Sequence, residues 1–232
     1  MIQYENIVEA IFKERPNRFI AHCFLEGEEV IAHVKNTGKC KELLVPGTTV
    51  YLQHHDNPKR KTAYSLIAVK KGERLINMDS QVPNKVCIEA LKNGKLKLPG
   101  MGEQLDLIKG EYTYGNSRFD VYVERGDEKA FIEVKGVTLE EDGVVRFPDA
   151  PTERGVKHVY EMIEAVKEGY RGYILFVIQK DNVKYFEPND TTHKAFGDAL
   201  REAKKKGVEI LAYDTKITKN SIVLGKEVEI RV

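Results

Sequence analysis

The sequence predicts two domains, a small all-β domain followed by a mixed α/β domain. Three observations support this division: the first 83 residues contain only short strand-like runs, Val82-Pro83-Asn84 interrupts that pattern, and helical and strand-like runs alternate after Thr152. A chain of 232 residues is long enough for two separate cores. We therefore divide it into residues 1–83 and residues 84–232.

Five short strands are predicted in the first domain, bounded by Gly, Pro or Asn. They cover Arg18–Leu25, Glu29–Val34, Thr48–His55, Thr62–Lys70 and Arg74–Met78. This number of short strands indicates a closed barrel. An OB-like fold is favoured, because it is a five-stranded barrel that binds oligonucleotides on an exposed face and loops. An SH3-like barrel is the main alternative.

The second domain begins with a predicted helix that Asn84 caps and that ends at Gly94. It continues with a β-hairpin and then with alternating helices and strands at Thr152–Lys167, Tyr173–Ile178, Thr192–Lys206 and Val208–Tyr213. A strand–helix–strand alternation predicts a right-handed parallel crossover. This order of elements is typical of D-x-n-E-x-K nucleases, so the domain is expected to resemble the PD-(D/E)xK nuclease fold.

The hairpin lies within residues 117–137, around the dipeptide Gly126-Asp127. A two-residue loop of this kind pairs the residues on either side of it and fixes the register of both strands. Counting back from the loop places Asp120 opposite Glu133. Because side chains alternate along a strand, one face should be apolar core, while Arg118, Asp120, Glu133 and Lys135 project from the other.

Asp120, Glu133 and Lys135 form the pattern D-x12-E-x-K, which is a signature of metal-dependent nucleases. Two opposed carboxylates repel each other unless a cation lies between them. Mg²⁺, or Mn²⁺ in its place, binds one or two carboxylates and accepts phosphate oxygens as further ligands. We therefore predict that Asp120 and Glu133 bind the metal and that Lys135 orients or deprotonates the attacking water, or offsets charge on the phosphorane.

The alternative is that these charges form the solvent face of an ordinary amphipathic hairpin, which the spacing alone does not exclude. The apolar residues around Glu133 and Lys135, and the glycine that follows them, favour the site. Glu89 in the preceding helix is a further catalytic candidate; a solvated helix charge explains it equally simply.

Several polar residues beside the hairpin are candidates for holding a phosphate. Ser117 and Arg118 precede the first carboxylate, and Arg154 ends a stiff loop with two prolines that leads into the next helix. Lys157 and His158 stand in the first turns of that helix, where anions bind. The alternatives are a simple turn into the strand, N-capping of the helix by Thr152, and simple surface exposure.

The net charge of +1 is uninformative, but residues 35–61 contain six Lys or Arg against two acidic residues, a local charge of +4. Cations interleaved with aromatic rings bind phosphates and stack bases. The candidate nucleic-acid-binding residues of the barrel are Arg18, Phe19, Lys35, Asn36, Lys39, Lys59, Arg60, Lys61 and Tyr64. The alternative is that a run of charged residues such as 59–61 is exposed to solvent and binds no ligand.

The three cysteines are odd in number and show no C-x-x-C pair, so buried or inert thiols in a reducing compartment are expected. No signal peptide and no apolar run of membrane-spanning length is evident, which predicts a cytoplasmic protein without membrane contact. The histidines show no ligand spacing, so zinc is not expected. Homodimer formation is left open.

The chain resembles the sugar fermentation stimulation protein family, SfsA, over nearly its whole length. The matching blocks are Arg18–Ala21, Asn36–Gly38, Pro46-Gly47, Pro83-Asn84, Ser117–Asp120, Glu133–Leu139, Phe147–Gly155 and Gly207–Tyr213. The resemblance implies an OB-like domain joined to a nuclease-like domain, non-specific DNA binding, and a regulatory role in the use of sugars, especially maltose. Phe119 stands where the broader nuclease pattern often has proline, and Cys40 where relatives often have methionine.

The favoured hypothesis is a DNA-binding protein whose second domain is a Mg²⁺-dependent endo- or exonuclease. The alternative is a non-catalytic DNA-binding regulator of sugar metabolism that retains the nuclease architecture. Direct action on a sugar is a weaker third hypothesis, because the sequence contains no Gly-rich nucleotide-binding loop or recognisable sugar site.

Overall fold

The computed structural model describes residues 1–36, 38–102, 104–115 and 117–232. Thr37, in the block Asn36–Gly38, and Asn116, beside the predicted phosphate-binding Ser117, lie outside the described residues. The first strands are β1 (Ile2–Gln3), β2 (Ile7–Asn17), β3 (Ile20–Leu25), β4 (Glu28–Val34), β5 (Thr49–His54), β6 (Tyr64–Lys71) and β7 (Arg74–Asn77).

Five of these strands close into a barrel. The pairing order β4-β3-β2-β5-β6 is antiparallel throughout, and a parallel contact between β4 and β6 joins the two ends. Phe12, Val50, Leu52 and Leu66 fill its interior. The predicted OB-like barrel is confirmed.

The barrel uses a different set of strands from the predicted one. β2 belongs to the closed ring but was not predicted, whereas β7 was predicted and pairs with β6 outside the ring. Pro16 and Asn17 resemble a turn in the sequence, yet they form the last two residues of β2. The register between β2 and β3 shifts there, which lets the strand end in a proline.

The remaining elements form a mixed α/β arrangement. In chain order they are α1 (Val82–Lys92), β8 (Leu107–Tyr114), β9 (Ser117–Arg125), β10 (Glu128–Val137), β11 (Glu140–Glu141), β12 (Val144–Phe147), α2 (Glu153–Lys167), β13 (Arg171–Ile178), β14 (Tyr185–Pro188), α3 (Asp190–Lys205), β15 (Glu209–Thr218), β16 (Ser221–Glu227) and β17 (Glu229–Ile230). A seven-stranded sheet runs in the order β1-β16-β15-β13-β10-β9-β8, and β11-β12-β14-β17 form a second, smaller sheet.

The parallel part of the large sheet agrees with prediction. β10, β13 and β15 are parallel neighbours, and α2 and α3 connect them. Thr152 caps α2, which was the alternative interpretation of this loop, because its hydroxyl accepts the Gly155 N–H at 3.1 Å. The predicted cap of α1 is wrong: the helix begins at Val82, and Asn84 lies within its first turn.

The predicted register of the β9–β10 hairpin is confirmed from the loop to the pair Val121–Ile132. The expectation of one apolar and one chemical face is wrong, however. Ile132 packs in the cluster beneath α1, and Phe131 packs in the opposite cluster, beneath α2 and α3. The middle of the hairpin is buried on both faces, and Asp120, Glu133 and Lys135 lie at the end far from the loop.

The barrel and the α/β part meet in a polar seam. Gln179 is buried and donates to the backbone carbonyls of Asn77 and Asp79 at 3.1 and 3.0 Å. Arg74 of β7 donates to Glu140 of β11 at 2.6 Å. The two-residue strand β1 pairs with β16 in the large sheet, so the extreme N-terminus contacts the second half of the chain. The division at residue 83 stays a prediction.

Two predictions from composition concern the cysteines and the membrane. All three cysteines are buried and free of disulfide bonds, as predicted. Within the described ranges, no helix is both long enough and apolar enough to cross a membrane.

Lys180, in the polar seam between the barrel and the α/β part, is almost completely buried, and its Nζ lies 3.5 Å from the Glu140 carboxylate. Burial, opposed in part by Glu140, lowers the pKa of Lys180 to about 8. The folded protein therefore holds fewer protons than the unfolded chain between this pH and the ordinary lysine pKa of 10.5. Stability should rise with pH across that window.

We predict that Lys180→Met stabilises the protein at pH 7 by about 2–3 kcal/mol and that this advantage shrinks as the pH rises towards 10. Urea unfolding of both proteins across this range measures the difference. A variant that is less stable by the same amount at every pH would show instead that the Lys180–Glu140 pair is net stabilising.

Candidate functional site

A cleft of about 280 Å³ opens where the first residues of β9 and the last residues of β10 meet the first turns of α2. Asp120, Glu133 and Lys135, the three residues of the D-x12-E-x-K pattern, all line it. Arg118 and Arg154 line it as well. The cleft therefore brings together five of the residues that the sequence singled out.

Asp120 is held from two directions. Its Oδ1 accepts a hydrogen bond from Asn84 Nδ2 of α1 at 2.7 Å, and its Oδ2 accepts one from the backbone N–H of Val134 at 2.8 Å. The ladder between β9 and β10 stops one position before Asp120, and the carboxylate takes the place of a backbone acceptor there. Both the sheet and α1 thus fix the side chain.

Glu133 is buried, with 3% of its side chain exposed. Its Oε1 accepts from Lys135 Nζ at 2.6 Å and lies 2.5 Å from Nδ1 of His158 on α2. Its Oε2 is also buried but has no hydrogen-bond partner among the described residues. A buried carboxylate oxygen without a partner is costly, so its presence calls for an explanation.

The contact of His158 with Arg154 shows which nitrogen of the His158 ring carries the hydrogen. Arg154 Nε donates to His158 Nε2 at 3.4 Å, and a guanidinium cannot accept a hydrogen bond. Nε2 is therefore the acceptor, and the hydrogen of the ring is on Nδ1, from which it is donated to Glu133. Arg154, His158 and Glu133 form a chain of hydrogen bonds that leads from the cleft surface to the buried carboxylate.

The two acids differ in their electrostatic environment. Burial, together with the charge of Glu133, raises the pKa of Asp120, although the hydrogen bond from Val134 opposes this. Burial opposes ionisation of Glu133 as well, but the hydrogen bond from His158 and the charge of Lys135 outweigh it, so the pKa of Glu133 is lowered. Adjacent carboxylates whose pKa values move apart are typical of functional sites.

Two exposed arginine side chains line the cleft. Arg118 is 61% exposed and pairs at 3.5 Å with Glu111, which is itself 66% exposed. Arg154 is also exposed, and its contact with His158 uses only Nε. Guanidinium groups at such positions can bind a phosphate through paired N–H groups.

Three predicted site residues lie elsewhere or are occupied. Glu89 does not line the cleft; it pairs with the N-terminal ammonium of Met1 and accepts from Asn93 at 2.7 Å. Lys157 does not line the cleft either, and it pairs with Glu161 at 3.4 Å. Ser117 is buried and donates to the same Glu161.

The predicted nucleic-acid-binding residues of the barrel differ in exposure and in their partners. Lys35 is mostly buried and donates to Asp79 at 2.7 Å, and the Asn36 side chain accepts from the Gly38 N–H at 2.8 Å. Arg60 donates a hydrogen bond to the Ser65 hydroxyl, and the Tyr64 ring packs against the His54 ring. The exposed members are Arg18, Phe19, Lys39, Lys59, Arg60 and Lys61.

The structure adds two residues that the sequence did not place in this role, Asn84 and His158. The interpretation of Asn84 as a helix cap hid its contact with Asp120. Arg154 and His158 are four residues apart, so they share one face of α2, and this spacing was the available signal. Among the described residues, no three His, Cys, Asp or Glu side chains converge as a metal cluster.

Family models match most of the chain. The model described as the SfsA N-terminal OB domain matches residues 14–78, and that of the sugar fermentation stimulation protein RE domain matches residues 81–221. The second range contains all the acidic and basic residues of the cleft named above.

Similar proteins span the full length of the chain. A sugar fermentation stimulation protein homolog from Ruminiclostridium cellulolyticum is 54% identical over 231 residues and covers 100% of both chains. A homolog from Desulfitobacterium hafniense is 56% identical over 231 residues, covering 100% of this chain and 99% of the other.

One solved structure shares the whole architecture. It is the structure of Pyrococcus furiosus SfsA in complex with Ca²⁺, with a TM-score of 0.88 and 27% identity, covering 100% of this chain and 98% of that one. The matches to both family models, the full-length relatives and this shared architecture all indicate the same family. The chain belongs to the sugar fermentation stimulation protein family, SfsA.

Proposed function

We propose that this protein binds DNA and hydrolyses phosphodiester bonds in the cleft, with a divalent cation held by Asp120 and Glu133. The observation that supports this most strongly is the Oε2 atom of Glu133, a buried carboxylate oxygen without a partner among the described residues, beside a second acid. The order helix, three antiparallel strands, helix and parallel strand, from α1 to β13, agrees with a PD-(D/E)xK nuclease fold.

The donor set suits a hard cation. Mg²⁺ and Mn²⁺ prefer carboxylate oxygens, and Mg²⁺ is commonly held by one or two of them together with water and phosphate oxygens. Asp120 and Glu133 would hold the metal, which would remove the repulsion between the two acids. When bound, such a cation polarises the phosphate and lowers the pKa of a bound water. The P. furiosus SfsA structure is a complex with Ca²⁺, a cation that also prefers oxygen ligands.

The side chains of the protein have separate tasks in this proposal. His158 and Lys135 hold Oε1 of Glu133, which leaves Oε2 for the cation. Lys135 has two further N–H groups with which to orient the attacking water or to stabilise charge on the phosphorane. Arg118 and Arg154 would hold the scissile phosphate through their guanidinium groups.

We expect Asp120→Asn and Glu133→Gln each to reduce Mg²⁺- or Mn²⁺-dependent cleavage by at least about 10³-fold, because each removes a metal-binding charge. The assay uses labelled single-stranded, duplex, flap and branched DNA. Glu209→Gln, the same change at an exposed position on β15, should cleave at the wild-type rate. Absence of cleavage of every substrate by the wild-type protein would refute the proposed hydrolysis.

We expect His158→Ala to weaken Mn²⁺ binding by about 10- to 100-fold, because Glu133 loses the donor that orients it. His158→Asn should restore part of the affinity, since its side-chain amide can donate from a position close to that of Nδ1. Calorimetric titration measures both, and circular dichroism checks folding. Equal affinities in all three proteins would show that His158 has no positioning role.

A non-catalytic regulator of sugar metabolism is the second candidate function, favoured by the name of the full-length relatives, sugar fermentation stimulation protein. In this case Asp120→Ala should leave both DNA affinity and the regulation of sugar use unchanged in cells. Loss of regulation in a folded variant that still binds DNA would favour the enzyme instead.

A further inference from the structure

The barrel has a pocket of its own, separate from the acidic cleft. Its volume is about 420 Å³, within the range of roughly 300–1,000 Å³ that is typical of ligand pockets. Phe12, Leu44 and Pro46 give it apolar walls. Four cations, Arg15, Arg18, Lys39 and Lys41, line it together with one acid, Glu14.

In the part of the chain that the structure describes, the cations around this pocket have no acidic partners. Among the described residues, no carboxylate oxygen lies within 4.0 Å of the charged nitrogens of Arg15, Arg18, Lys39 or Lys41. The other large arginine-lined cavity, of about 570 Å³, differs in this respect. There Arg146 pairs with Glu187, Arg201 with Asp190 and Arg231 with Glu229. Of these two cavities, the barrel pocket is the one that combines apolar walls with unneutralised positive charge.

The Arg15 side chain holds together the two loops that form the rim of this pocket. Its guanidinium donates to the carbonyl of Arg18 and to those of Asn36, Gly38 and Lys39, at 2.6–2.9 Å. These carbonyls belong to the two loops at the rim, so one side chain ties both loops together. On the outer side, the Arg18 guanidinium lies 4.9 Å from the centre of the exposed Phe19 ring. The rim is thus fixed, cationic and aromatic.

We infer that this pocket binds an unpaired nucleotide of a single-stranded nucleic-acid segment, with its base against the apolar walls and its phosphates on Arg18, Lys39 and Lys41. An anion with a flat apolar part is the ligand that such a lining favours. A paired base enters a pocket only after it has been unpaired and unstacked, which costs free energy, so a single-stranded segment is favoured. This inference rests on the proposed DNA binding and extends it to the form of the strand.

The position of the pocket favours a strand over a free nucleotide. A Cβ built on Gly38, at the pocket rim, would lie 2.2 Å from the Asp149 carboxylate, so the barrel loop touches the loop that leads to α2. That second loop supplies Thr152 and Arg154 to the acidic cleft. A small cavity lined by Asn36, Asp149 and Ser80 adjoins both loops, and Ser80 also lines the cleft. The barrel pocket and the carboxylates therefore lie on neighbouring parts of the molecule, as one strand that contacts both would require.

Binding of a fluorescent single-stranded oligonucleotide, measured by anisotropy in EDTA at several salt concentrations, tests this. Lys39→Ala/Lys41→Ala should weaken binding about tenfold and reduce the salt slope by about 1.4, the value for two lost phosphate contacts. The matched control is Lys204→Ala/Lys205→Ala, which removes two exposed lysines at the far end of α3. It should bind as the wild type does. Should the first variant fail to fold, Arg18→Ala takes its place.

Wild-type protein should bind the single strand more tightly than a blunt duplex of equal length, and a nucleoside monophosphate should compete only weakly. Equal weakening by both lysine pairs, equal affinity for the duplex, or full competition by the mononucleotide would each overturn the inference. Because EDTA removes divalent cations, the result is independent of cleavage. A protein that binds as expected but never cleaves would refute the proposed hydrolysis and leave this pocket intact.

Discussion

The burial of the Glu133 carboxylate is the constraint on which the rest of the site depends. A buried negative charge is tolerated only where donors surround it, and these come from two elements, Lys135 of β10 and His158 of α2. Asp120 has the same requirement and meets it through Asn84 of α1 and the backbone of β10. The carboxylates are therefore in place only when both helices are docked on the sheet.

The same geometry accounts for the location of the cleft. β9 and β10 pair as far as Val121 and Ile132, and beyond that point the backbone N–H of Val134 turns to the Asp120 carboxylate. Between the loop and that point, the middle of the hairpin is covered by apolar clusters on both faces. The buried carboxylates therefore lie beyond these clusters, where α2 begins and the loop from Asp149 meets the barrel. The barrel pocket and the acidic cleft adjoin for this reason.

Much of this was accessible to local patterns. The Gly126-Asp127 loop gave the hairpin register, and the apolar spacing and the Thr152 cap gave α2 to within one residue. The incorrect predictions came from local sequence signals that are compatible with two different structures. Pro16 looked like the end of a loop and is the end of a barrel strand, and Asn84 looked like a cap and is a partner of Asp120. Glu89, on the same helix as Asn84, faces the N-terminus instead of the cleft.

The sequence by itself determined most of the barrel strands, the β9–β10 hairpin, the three helices, the parallel order of the central strands and the three residues of the D-x12-E-x-K pattern, because periodicity and turn geometry act over a few residues. Only the tertiary structure decided which polar side chains are free. Lys35 and Ser117 look available in the sequence but are engaged by Asp79 and Glu161, whereas Lys39 and Lys41 have no acidic partner among the described residues. The Lys35–Asp79 and Ser117–Glu161 contacts each join residues 44 positions apart, and they arise from packing that no local pattern encodes.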